Sequence, residues 1–185
     1  ERALRRSKLP IAYSEGFNPH MKVAYASALS VGVSSQAEYV DIELSEEISV
    51  SVIAQKLSAQ LPNDMELRDL KILVGKNTSL MAIINRADYH VSVPLNHGAS
   101  KETVIDGIDK FNQAQEVKHV RTSPKGRKEI DVKNLMAAPI TVEFSDIAHL
   151  NMKIVITPGG SIKASEVLCS MAENFALPLR IEQAK

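Results

Sequence analysis

The stretch Ala37-Glu38-Tyr39-Val40-Asp41-Ile42-Glu43-Leu44 and the run Val50–Gln60 that follows it decide the fold. Val40, Ile42 and Leu44 share one parity, with Glu38, Asp41 and Glu43 among them, which is the pattern of a half-buried strand with one acidic face. Ser49 then offers an N-cap, and Val50, Ile53, Ala54, Leu57 and Leu61 fall on one face of a helix. Working back toward the start, Glu1–Leu9 favours a helix with Leu4 and Leu9 as apolar anchors, stopped by Pro10. Ile11–Tyr13 is a short extended piece, and Val23–Val33, with Gly32 near its end, reads either as one bent strand or as a strand plus a turn. Working forward, Pro62-Asn63-Asp64 ends the helix and Met65–Val74 reads as a strand. The order is helix, strand, strand, helix, strand. One strand placed before Glu1 would complete βαββαβ, the ferredoxin-like unit. The opening Glu1–Arg6 reads as mid-helix without a cap, so a piece of a longer chain is expected.

The second half repeats that order without repeating the sequence. Gly75-Lys76-Asn77-Thr78-Ser79 is the expected boundary, giving domains 1–75 and 76–185. A brief helix over Leu80–Arg86 precedes a strand over Asp88–Leu95, with Tyr89, Val91 and Val93 in register. Ser100 can cap a helix over Lys101–Ala114, whose stripe is Ile105, Ile108 and Phe111 with Val104. Glu116–Ser123 and Lys128–Val132 are predicted to form a hairpin across Pro124-Lys125-Gly126-Arg127. Strands over Ile140–Phe144 and Leu150–Ile156 follow. Ser161 is the expected cap of a helix over Ile162–Phe175, and Leu177–Ile181 is a last strand. The expected class is therefore α+β, with two tandem ferredoxin-like units. The first lacks its opening strand, and the second carries an added basic hairpin.

Composition narrows the function. Of 185 residues, 44% are hydrophobic and 24% charged, enough apolar material for a packed core. The 22 basic and 22 acidic residues cancel, so any nucleic-acid surface must be a local patch and not a global field. Cys169 is the single cysteine, which excludes an intrachain disulfide and a cysteine cluster for zinc or iron–sulfur. No apolar run approaches a membrane span and no secretory signal opens the chain, so a cytoplasmic protein without a membrane partner is expected.

Two basic groups and one loop carry the candidate chemistry. Arg2, Arg5 and Arg6 lie close on a helical surface, followed by His20 and Lys22. Guanidinium groups in that spacing suit phosphate, or simply solvate a helix face. The second group, Lys118, His119, Arg121, Lys125, Arg127, Lys128 and Lys133, crosses the hairpin. It can track a nucleic-acid backbone or protect an edge strand, and Glu129 and Asp131 dilute it. The candidate nucleic-acid contacts are Arg2, Arg5, Arg6, Lys22, Arg121, Lys125, Arg127 and Lys128. The loop is Tyr13-Ser14-Glu15-Gly16-Phe17-Asn18-Pro19-His20-Met21-Lys22. Gly16 permits a positive φ and Pro19 biases Asn18 to an extended conformation. It is either a plain connection between strands, with Asn18 and Ser14 bonding nearby backbone, or a recognition loop built from Ser14, Gly16, Phe17, Asn18, Pro19 and His20. An alternative makes Ser14 a nucleophile and His20 its base, although GxSxG is absent. The five histidines form no HxH or HExxH pair, so neither a metal nor another cofactor is expected.

Arg2–Arg6, Leu9–His20 with its Gly16-Phe17-Asn18-Pro19-His20 signature, Ala37–Leu44 and Arg121–Asp131 resemble the radical SAM-linked bacterial family. That family is a domain of unknown function found alone or joined to a cobalamin-binding radical SAM protein. The resemblance departs at Met21, where a second Pro is common, and at the strand and polar helix start that usually precede the position of Glu1. It implies a radical SAM enzyme as partner. The usual gene neighbourhood of ribosomal proteins and ribonuclease adds RNA or a ribosome-related particle. With no CxxxCxxC cluster, this chain cannot hold the radical SAM iron–sulfur centre itself. The function these observations imply is accessory RNA or ribonucleoprotein recognition. The alternatives are an RNA-modifying or hydrolytic enzyme using Ser14 and His20, and a protein-interaction module without nucleic acid.

Overall fold

A computed structural model describes the chain from Glu1 to Lys185 apart from Lys76, Pro124 and Lys125. Five helices and antiparallel sheets among these residues make an α+β fold. The chain divides into two compact units, Glu1–Leu29 with Ser34–Ile83, and Ser30–Val33 with Ile84–Lys185.

In the first unit α1 (Arg2–Ser7) is shorter than its propensity suggests. Ser7 ends it: its hydroxyl donates to the Leu4 carbonyl at 2.7 Å and accepts from the Leu9 amide at 3.4 Å. Lys8 then takes a left-handed turn at φ 51°. Leu4 and Leu9 are buried, with Ile11, and all three pack with Ile53 and Leu57. β1 (Val23–Tyr25) and β2 (Val40–Ile42) pair antiparallel, with Val23 opposite Ile42. Single bridges join Ile11 to Leu44 and Tyr13 to Met21. Of the two forms expected for 23–33, a strand followed by a turn is the one found: β1 stops at Tyr25, and the Ser30 carbonyl accepts a turn bond from the Val33 amide at 3.1 Å where Gly32 has φ 85°. α2 (Val50–Ser58) buries Ile53 and Leu57 but leaves Val50 exposed. Its Ser49 hydroxyl meets Ser51 at 3.2 Å and caps no backbone amide.

Met65–Val74, expected as a strand, has no ladder. Leu67 and Leu70 lean on the core while Met65, Ile72, Leu73 and Val74 are exposed. The reason is in the spacing: Leu67 and Leu70 are three apart, so a regular strand would put them on opposite faces. α3 (Leu80–Ile83) closes the unit.

The second unit has the larger core. β3 (Arg86–Val93) pairs with β7 (Ala148–Val155), which pairs with β6 (Thr141–Phe144), all antiparallel, in the order β3-β7-β6. One sheet face supplies Val91, Val93, Leu150, Met152 and Ile154 to the core, packed with α4 (Lys101–Gln113) and α5 (Ala164–Phe175). The Ser100 hydroxyl caps α4 by accepting from the Thr103 amide at 3.3 Å. The buried arc of α4 is Val104, Gly107, Ile108 and Phe111, so Ile105 is exposed and the expected stripe is rotated. Gly107 sets that rotation, because a Cβ there would lie 2.9 Å from Leu177 Cδ1. The Asn112 side chain clamps Ile140 twice, donating to its carbonyl and accepting from its amide, both at 2.9 Å.

β4 (Lys118–Ser123) and β5 (Gly126–Asp131) form a separate two-stranded hairpin. α5 starts at Ala164, later than expected. The Ser161 hydroxyl donates to the Val155 carbonyl at 2.9 Å, and Glu166 instead takes the Lys163 amide at 2.9 Å. The last expected strand, Leu177–Ile181, makes one bridge, Leu95 to Leu179. Asn96 and Arg180 donate to Pro178 and Pro94 on either side of it, and Ser92 and Lys185 exchange two backbone bonds. A 3-10 turn over Ile181–Gln183 intervenes.

Candidate functional site

The loop closes on itself through Ser14 and His20. The Ser14 amide donates to the His20 carbonyl at 2.8 Å, and the His20 amide donates to the Ser14 hydroxyl at 3.0 Å. The Tyr13–Met21 bridge stands at its base. Inside this clasp Gly16 has φ 116°, a conformation that side-chain-bearing residues rarely adopt. Phe17 is 106% exposed at the tip, and Asn18, Pro19 and His20 are exposed after it. The Ser14 hydroxyl thus serves the backbone of His20. No hydrogen bond joins it to the His20 imidazole among the described residues, and that is the bond a nucleophile–base pair would use.

The other aromatic side chains of this unit are exposed as well: Tyr13, Tyr25 and Tyr39. Tyr25 lies opposite Val40 in the β1–β2 ladder, and Val40 is also exposed. Lys22 is paired with Glu43 at 2.8 Å, so that cation is already compensated. The two line an open recess of about 300 Å³ with Val23, Ala24 and Asp41. Arg2, Arg5 and Arg6 are exposed on α1. Arg6 donates to the Gln60 carbonyl at 3.0 Å, and Arg2 and Arg5 make no ion pair among the described residues.

The hairpin separates its described basic residues into engaged and exposed groups. Lys118 meets Glu129 at 3.1 Å and Glu116 at 3.9 Å, and the hydrogen bond to Glu129 raises its pKa. Lys133 donates to the Phe111 and Asn112 carbonyls at 3.1 Å and stands 4.7 Å above the Phe111 ring. Burial lowers its pKa against the pull of Asp131. Arg121 grips Glu166 with two hydrogen bonds of 2.7 Å and donates to the Ser161 carbonyl at 2.8 Å. Burial pushes the Glu166 carboxyl up, but the Arg121 guanidinium and the Lys163 amide overcome it, so its pKa lies below the usual value. Arg127 and Lys128 remain exposed. Lys128 lies opposite Arg121 and lines a recess of about 290 Å³ with Thr157, Gly159, Gly160 and Ser161. Lys125 falls outside the described residues.

Sequence reasoning missed Glu166, whose acidic side chain three residues inside a helix start was the available signal. It also missed a polar network on the uncovered sheet face. His90 and His149 stack at 5.6 Å, tied to Asn151, Ser92 and Ser145. The i, i+2 spacing of His149 and Asn151 placed them on one strand face, but their partners are distant in sequence. Among the described residues no group of three or more His, Cys, Asp or Glu is placed to hold a metal ion. None of the described helices is long and apolar enough to cross a membrane.

A family model described as "Uncharacterized protein conserved in bacteria (DUF2344)" matches residues 1–164. The chain belongs to this family. No curated protein and no solved structure matches it. The loop, α1 and the hairpin of this DUF2344 chain all lie inside the matched span, whereas Glu166, the partner of Arg121, lies beyond it.

Proposed function

We propose that the chain is an accessory binding domain that recognises RNA or a ribonucleoprotein and presents it to a radical SAM enzyme. The observation that carries the reading is Phe17, an aromatic ring wholly in solvent at the tip of a loop clasped by two Ser14–His20 hydrogen bonds. An exposed large apolar side chain on a restrained loop is a contact waiting for a partner. Aromatic faces stack on unpaired bases, and the amide of Asn18 has the donor and acceptor needed to read a base edge. Exposed Arg2 and Arg5 in the first unit, and separately Arg127 and Lys128 in the second, supply phosphate contacts. The radical SAM partner rests on the family resemblance of the Gly16–His20 signature.

A ferredoxin-like arrangement belongs to the same proposal. In the second unit it is supported by the order β3-β7-β6 and by the Leu95–Leu179 bridge. The β4–β5 hairpin is then an insertion before β6. A second reading, a protein-docking module, is favoured by one observation: Tyr25 and Val40 form an exposed cross-strand apolar pair.

The deciding experiment is ultraviolet cross-linking of the full-length protein to RNA in cells, comparing wild type with Phe17→Ala. The proposal requires cross-linked RNA that drops at least several-fold in the variant. Cross-linking absent from both would reject RNA and leave the docking module.

A further inference from the structure

We propose that the β4–β5 hairpin is an electrostatically latched arm, held on α5 by Arg121–Glu166 and tightened when His119 gains a proton beside Glu173. The inference stands apart from RNA binding, because it concerns how the arm is held and not what it touches.

Neither strand of the hairpin has a fully buried residue. The register puts His119, Arg121, Lys128 and Ile130 on one face, and only Ile130 among them is apolar. Apolar burial therefore contributes little to docking this arm. The attachment is polar instead: Arg121 to Glu166 and Ser161, and Asn174 Nδ2 donating to the Lys118 carbonyl at 3.4 Å. At the root, Val117 accepts from the Val132 amide at 2.8 Å. Such an element can open without disturbing the sheet core.

His119 is the incomplete part of this attachment. Its side chain is 12% exposed, and its Nδ1 is buried without a hydrogen-bond partner among the described residues. The Glu173 Oε2 lies 4.0 Å away, too long for a hydrogen bond and close enough for strong attraction to a charge. A neutral imidazole has one N–H, and a protonated one has an N–H on both nitrogens and a positive charge. The groups facing it are Glu166 and Glu173 on α5, with Cys169 beside those two carboxylates, Arg121 on its own strand, and Ile130 with Lys128 on β5. Glu166 is matched by Arg121, which leaves Glu173 as the uncompensated carboxylate. Protonation therefore adds one attractive pair across the β4–α5 contact. Docking strengthens when that charge is present, and it weakens with salt.

The test is hydrogen–deuterium exchange of the full chain at about pH 8 and about pH 6, corrected for intrinsic rates, reading amides 118–123 and 126–131 against β3 and β7. Wild type should gain about three- to tenfold protection in the hairpin at the lower pH, with no gain in β3 and β7. His119→Asn should abolish the gain. So should Glu173→Gln, whose side chain is largely exposed and leaves the fold intact. Equal hairpin protection at both pH values in wild type, or a gain that survives in both variants, overturns the proposal.

Discussion

Replacing Arg121 by Met removes the partner of a carboxylate that the fold has partly withdrawn from water. The two side chains are 33% and 17% exposed, so the pair lies between a surface bridge and a buried one. Surface pairs contribute about 0–1 kcal/mol, and stripping one partner from a buried pair costs about 3–5 kcal/mol. The intermediate exposure, with the loss of the Ser161 bond, sets the expected cost at about 2 kcal/mol at neutral pH. For a unit of this size that corresponds to a drop in Tm of roughly 10 °C. The cost must depend on pH. Glu166 has a lowered pKa in the fold, so its contribution is present above the unfolded carboxyl value and is lost as pH falls through the folded value. In the variant the Lys163 amide still favours the charged form of Glu166, but the guanidinium no longer helps it oppose burial. The difference between wild type and variant should therefore shrink as pH falls below the usual carboxyl value and through the lowered folded one. Urea melts at several pH values measure it, and Arg121→Met with Glu166→Gln should recover part of the loss. A cost below about 0.5 kcal/mol that does not vary with pH would refute the reasoning.

Further outcomes follow from single contacts. Phe17→Ala should leave the melting temperature unchanged because the ring buries nothing, whereas Gly16→Val should disorder the loop through its φ of 116°, visible as faster exchange of the His20 amide. Asn112→Ala removes both bonds to Ile140 and should destabilise by about 1–3 kcal/mol in a urea melt. The Cys169 thiol is pushed up by burial and by Glu173 and Glu166, so thiol reagents should label it more slowly than unfolded chain at neutral pH.

The larger unit was largely legible in the sequence, because its strands alternate and its turns carry strong residues. Tyr89, Val91 and Val93 set the register of β3, and Ser100 marked the start of α4. The α4 stripe was rotated because Gly107 has no side chain to signal that its position is buried. The α5 start was displaced because Ser161 had a better acceptor in Val155, a contact no local pattern reveals. In the first unit, Met65–Val74 has the composition of a strand without its parity. Strand formation also needs a neighbour, which composition does not encode. At the candidate site, Gly16 and Pro19 disclosed a shaped loop and Ser14 a side chain that bonds nearby backbone, and the structure adds His20 as its partner and the exposure of Phe17. The basic hairpin was legible as a charge cluster. Which of its charges are spent was not, since Glu166 lies 45 residues from Arg121.

The central claim, RNA recognition, is tested most directly by titrating a single-stranded RNA with the full-length protein between about 50 and 300 mM salt, wild type beside Arg127→Ala with Lys128→Ala. The account predicts affinity that falls steeply with salt in wild type, with a slope shallower by about one per lost phosphate contact in the variant. No binding at the lowest salt, or binding of equal slope in both proteins, would contradict it.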